Sequence, residues 1–119
     1  MTEYLVLIPG DEAAWSAATE DYRKTVYAQH EEFHRLLEER GHKVLGGAEL
    51  ADTKEAKTVR NTAGVVSVTD GPYAETVEQL TGFYQIESDN LDDLLEVCKI
   101  LGKSEGGLEV RRILRGGDS

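Results

Sequence analysis

Two rhythms of apolar residues alternate along the chain. Tyr4-Leu5-Val6-Leu7-Ile8 is a continuous apolar run closed by Pro9-Gly10. Its length and β-branched content predict a strand, and its lack of alternation predicts burial on both faces. Asp11 to Ala18 reads as a loop with a short helical turn carrying Trp15. From there the period lengthens: Tyr22, Val26, Phe33, Leu36 and Leu37 recur at helical spacing. Thr19 is the expected N-cap, with Glu20 and Asp21 in the first turn and a stop at Arg40-Gly41.

The second half repeats the scheme. Lys43-Val44-Leu45 reads as a short strand ending in Gly46-Gly47. Thr58-Val59-Arg60 and Val65 to Thr69 read as a hairpin turning through Asn61-Thr62-Ala63-Gly64. After the Asp70-Gly71-Pro72 turn, Gly82 to Glu87 predicts another strand. Asp89 is placed as the cap of a second helix, with Leu91, Leu94, Leu95, Cys98 and Leu101 on its apolar face. Leu108 to Leu114 closes the pattern, giving one domain over residues 1–115 and a flexible tail over 116–119.

The order is β-α-β, a hairpin, then β-α-β. It predicts an α+β fold of ferredoxin-like type, with a mainly antiparallel sheet and two helices on one face. Two helices cover one face only. The other is expected to be covered by a second copy, giving a homodimer through the open sheet face and a dimeric barrel-like assembly.

Composition narrows the partners. The chain has 119 residues, enough for one domain with its own core. Thirteen Lys and Arg against 23 Asp and Glu leave a net charge of −10, which repels nucleic acid and anionic membrane. Its single cysteine, Cys98, cannot form an internal disulfide. No signal-peptide pattern opens the chain and no apolar run approaches membrane-spanning length, so a cytoplasmic protein is expected.

Candidate chemistry gathers in three places. Asp70 ends a strand, and Tyr73, Glu75, Thr76 and Glu78 follow its turn, a dense polar set on a rigid base. His30 falls on the rim of the first helix's apolar stripe, a position both packed and wet that suits a general base. His34 and His42 read as solvated. Arg60 and Arg111 are candidates for holding an anionic group, and Tyr84 for either core or cleft wall. His30-Glu31-Glu32-Phe33-His34 matches the zinc-protease pattern formally, but Glu31 points away from the stripe and no Gly stands three residues after His34. No metal and no cofactor is expected. Cys98 lies on the apolar stripe and reads as packing.

With these residues assembled, the chain resembles the YCII-related superfamily, and within it the DGPF-domain proteins. The carriers are Tyr4 to Ile8 with Gly10-Asp11-Glu12, His30 with Phe33, Gly46-Gly47 to Leu50, and Thr58-Val59-Arg60. The hallmark is Val68-Thr69-Asp70-Gly71-Pro72-Tyr73-Ala74-Glu75-Thr76, followed by Glu78-Gln79-Leu80, Gly82-Phe83-Tyr84 and Glu109-Val110-Arg111. Tyr73 stands where the family usually has Phe, and Arg112 where Pro is frequent. The resemblance implies a dimeric ferredoxin-like fold and a cleft in which a His–Asp pair acts, here His30 and Asp70. An uncharacterised small-molecule site is expected, with Arg60, Tyr73, Glu75, Tyr84 and Arg111 around that pair and lyase, isomerase or hydrolase chemistry open to it. The alternative is a non-catalytic dimeric module that binds a ligand or protein, for example beside an extracytoplasmic-function sigma factor.

Overall fold

The elements run β1 (Thr2–Asp11), α1 (Glu12–Ala17), α2 (Glu20–Glu39), β2 (Lys43–Glu49), β3 (Lys57–Thr62), β4 (Val65–Asp70), β5 (Glu78–Ser88), α3 (Leu91–Cys98) and β6 (Glu109–Arg112). They come from a computed structural model that describes residues 2–76 and 78–115; the expected tail over 116–119 lies outside these. Four strands form one sheet in the order β2-β5-β1-β6, and every neighbouring pair in it is antiparallel. With α2 and α3 packed together, this is an α+β fold of ferredoxin-like topology.

The sheet's helix side holds the core. Val6, Ile8 and Ile86 meet Phe33 and Leu37 of α2, and Leu94, Val97 and Cys98 of α3. Each fully buried side chain of this size contributes about 1.5–3 kcal/mol. Burial pushes the Cys98 thiol up to about 11, so it rests as an inert thiol inside this cluster. Thr19 caps α2 as its sequence position requires, accepting from Tyr22 N. The cap of α3 is Asn90 rather than Asp89, through a bond from Asp93 N. Val97 takes the buried place expected for Leu95, which is 40% exposed.

Two strand readings are corrected. Pro9-Gly10 does not end β1: the register shifts between Ile8 and Pro9, and the strand continues to pair Asp11 with Glu78 of a longer β5. β6 reaches only Tyr4–Leu7, so past this bulge β1 has a single neighbour, where proline is tolerated. Nor is β1 buried on both faces. Val6 and Ile8 are, whereas Leu5 and Leu7 fall on the opposite face, beside Gln85 and Phe83, and stay half-buried. The hairpin of β3 and β4 forms as expected, as a separate two-stranded sheet.

That hairpin turns through Ala63 (φ 51°) and Gly64 (φ 87°), and Asn61 Oδ1 accepts from Gly64 N at 2.9 Å. Two consecutive positive φ angles define the mirror-image turns that suit a right-twisted ribbon. Gly adopts them freely and Ala does not. Ala63→Gly or Ala63→Asn is therefore expected to stabilise the protein by about 0.5–1 kcal/mol, read from the midpoint of urea unfolding.

His42 was expected in solvent and is buried. The chain reverses at Gly41 (φ 84°), His42 N donates to Leu37 O at 2.9 Å, and the ring folds back under the helix end. There its Nδ1 lies 2.8 Å from Ser88 Oγ and its Nε2 2.7 Å from Asp93 Oδ2. A serine, a histidine and an aspartate in line suggest a hydrolase triad, but Ser88 is 1% exposed. No substrate reaches it, and the trio ties β2 to the β5–α3 turn.

Candidate functional site

A cleft of about 690 Å³ opens where α2's first half, α1, the end of β2 and the segment from Leu50 to Glu55 meet over the helix side of the sheet. Its walls are built locally. Glu12, at the start of α1, accepts from Thr53 N at 2.8 Å and from Thr53 Oγ1 at 2.5 Å, holding the 50–55 segment against the helix. Arg23 donates to the carbonyls of Trp15 and Ser16 at 2.9 Å, satisfying the exposed end of α1, and its guanidinium rests 5.5 Å from the Trp15 ring centre. Tyr27 packs edge-on to Trp15 and donates to Glu49 at 3.3 Å.

The chemistry sits at the inner end. His30 comes from α2 and Tyr84 from β5, where its strand neighbours are Val6 and Gly47. His30 Nδ1 and the Tyr84 hydroxyl are 2.7 Å apart. On the other side of the ring, Nε2 lies 3.5 Å from Glu105 Oε1. Both partners of that contact are mostly buried, with side chains 22% and 16% exposed. Glu105 is delivered by the turn after α3: Glu105 N donates to Leu101 O, Ser104 Oγ bonds Gln29 of α2, and the Tyr22 hydroxyl reaches Ser104 O. Burial, and then the charge of Glu105, raise Tyr84 above the ordinary phenol range.

Gly47 is the reason the Tyr84 ring can lie where it does. A Cβ there would stand 2.6 Å from Phe83 O and 2.9 Å from Tyr84 Cδ1, closer than real contacts allow. The rings of Phe33 and His34 flank Tyr84 at 5.2 and 5.1 Å.

Of the residues the sequence singled out, His30 and Tyr84 meet in this cleft, and the others lie elsewhere. The expected His30–Asp70 pair is not formed within the chain. Asp70 ends β4 on the separate hairpin, its side chain 86% exposed and 2.5 Å from Lys57 Nζ, while both ring nitrogens of His30 face other groups. Arg60 and Tyr73 do come together: Arg60 donates to Thr69 Oγ1 and to Tyr73 O, and stands 5.6 Å from the Tyr73 ring centre. Glu75 is exposed nearby. Arg111 pairs with Glu109 on the strand that borders β1. Asp70, Arg60, Tyr73, Glu75 and Arg111 do not line the cleft. The sequence reading missed Glu105, Glu49, Tyr27 and Trp15 as wall residues. Only Gly47 left a local sign, since a glycine inside a strand marks a close approach.

The profile of the YCII-related domain matches residues 2–115. An uncharacterised protein of Rhizobium meliloti (strain 1021) is 39% identical over 111 residues, spanning 91% of this chain and 89% of that protein. The chain belongs to the YCII-related domain family. Among its described residues, no helix is long and apolar enough to cross a membrane.

Proposed function

We propose that the cleft is an acid–base site for a small molecule and that His30 is its proton acceptor. One observation carries the reading: a histidine on the rim of a helix, flanked by a phenol at 2.7 Å and a carboxylate at 3.5 Å, in the wall of a ligand-sized cleft. Imidazole beside a carboxylate is a competent base near neutral pH, and its protonated form is then stabilised by that charge. Elimination, isomerisation and hydrolysis all use such a group. The walls carry Glu12, Glu49, Asp52, Glu55 and Glu105 against Arg23 and Lys54, which favours a neutral or cationic ligand over an anion.

The same reading includes a homodimer through the open sheet face, supported by half-buried Leu5, Leu7 and Phe83 lying together there. Sedimentation at micromolar concentration is expected to show two copies; a stable monomer would remove this part.

A thermal-shift screen of neutral and cationic metabolites is expected to yield ligands that raise the melting temperature of the wild-type protein. His30→Gln is expected to keep the fold and to lower turnover of such a ligand by about 100-fold or more. Binding that depends on His30 with no turnover by the wild type would favour the non-catalytic module instead.

A further inference from the structure

We propose that the Tyr84 oxygen, rather than the His30 ring, is the atom that exchanges a proton with the ligand, His30 taking the phenolic proton and Glu105 setting the tautomer of the ring. This rests on the acid–base reading above. Both ring nitrogens of His30 already face a partner: Nδ1 meets the Tyr84 hydroxyl at 2.7 Å and Nε2 faces Glu105 at 3.5 Å. A ligand could reach the ring only by displacing one of them. A carboxylate offers acceptors alone, so it selects the tautomer with the proton on Nε2. Nδ1 is then the acceptor and the Tyr84 hydroxyl the donor. Tyr84 lines the cleft, and its phenol oxygen keeps acceptor capacity of its own.

The proton count closes. Tyr84 passes its proton to His30 Nδ1 as its oxygen takes one from an acidic X–H bond of the ligand, X being a carbon beside a carbonyl or the oxygen of a water. The X–H electron pair stays on X, and the imidazolium so formed faces Glu105. The return transfer restores the resting state, with the proton delivered to a new position or to a leaving group. Tyr84 rests as a neutral phenol, because burial and the charge of Glu105 oppose a standing phenolate, so the two transfers are coupled. Gly47 serves as a positioning residue, since any side chain there would drive the Tyr84 ring from the position in which it meets His30.

Nitrogen-15 NMR of the histidine side chains tests this without a substrate. At a pH where His30 is neutral, the wild type is expected to show the Nε2–H tautomer with a hydrogen-bonded Nδ1 acceptor. Tyr84→Phe is expected to shift Nδ1 to the value of a free acceptor, and Glu105→Gln to lower the Nε2–H share. An Nδ1–H tautomer in the wild type, or an Nδ1 resonance indifferent to Tyr84→Phe, overturns the proposal. A tautomer ratio unchanged in Glu105→Gln removes Glu105 from it. Ligand-induced thermal shifts in the same variants separate the two readings: their persistence in Tyr84→Phe with the wrong tautomer leaves the cleft standing and sinks the relay, while no ligand shift in any form sinks the cleft.

Discussion

Phe33→Ala is expected to destabilise the protein by about 3–5 kcal/mol, the range for truncating a fully enclosed aromatic side chain. Phe33 has no exposed surface and sits in the cluster with Leu37, Ile86 and Leu94. Its environment is rigid on both sides, sheet below and α3 beside, so the cavity cannot collapse cheaply. A domain of this size has roughly 5–15 kcal/mol to lose, so the variant should stand near the limit of folding at 37 °C. The check is the urea midpoint, expected to fall sharply with an unchanged slope. The loss also reaches the site, because the Phe33 ring lies 5.2 Å from that of Tyr84. Phe33→Leu, which keeps most of the volume, is expected to cost about half as much. Equal costs for the two variants would mean that the aromatic shape, not the volume, holds this position.

The core and the binding cleft differ in how far they can be read from the chain, and the difference has a physical cause. Phe33 and Leu37 were legible because a helix repeats its faces every 3.6 residues, so their spacing alone aims them at the sheet. His30 was legible as a rim position for the same reason. Glu105 was not. It lies 75 residues from His30, in a turn with no periodicity, and its aim depends on Gln29 and Tyr22 fastening the segment. Asp70 shows the converse. Its surroundings in sequence are dense in polar groups, but Asp70 itself lies on a hairpin that pairs only with itself. Periodicity predicted both strands and their turn; it carries no information on whether a strand joins the main sheet. The family resemblance set His30 beside Asp70, whereas the carboxylate beside His30 in this chain comes from the turn after α3.

His42 was misjudged for a related reason, and its replacement is the second large effect expected. A histidine directly after a helix stop has no periodic neighbours to place it, and only the fold shows that its side chain is 3% exposed. His42→Ala is expected to cost about 2–4 kcal/mol. Part is the cavity left by the ring. Part is the lost bond to Asp93, where a charged acceptor makes a hydrogen bond worth about 1.5–3 kcal/mol. Ser88 adds little, since its hydroxyl still donates to Asn90 O and accepts from Asn90 N. Asp93 is not stranded either: Arg40 remains 3.0 Å from its Oδ1, and the carboxylate is 30% exposed. A double-mutant cycle divides the cost. With Asp93→Asn as the second change, a coupling energy of about 1–2 kcal/mol is expected. A coupling near zero would mean that His42 acts by filling space, in which case His42→Leu should fold as well as the wild type. His42→Asn separates these outcomes further, because its amide can reach Ser88 but not Asp93. It should recover the part of the stability owed to packing and leave the Asp93 part lost.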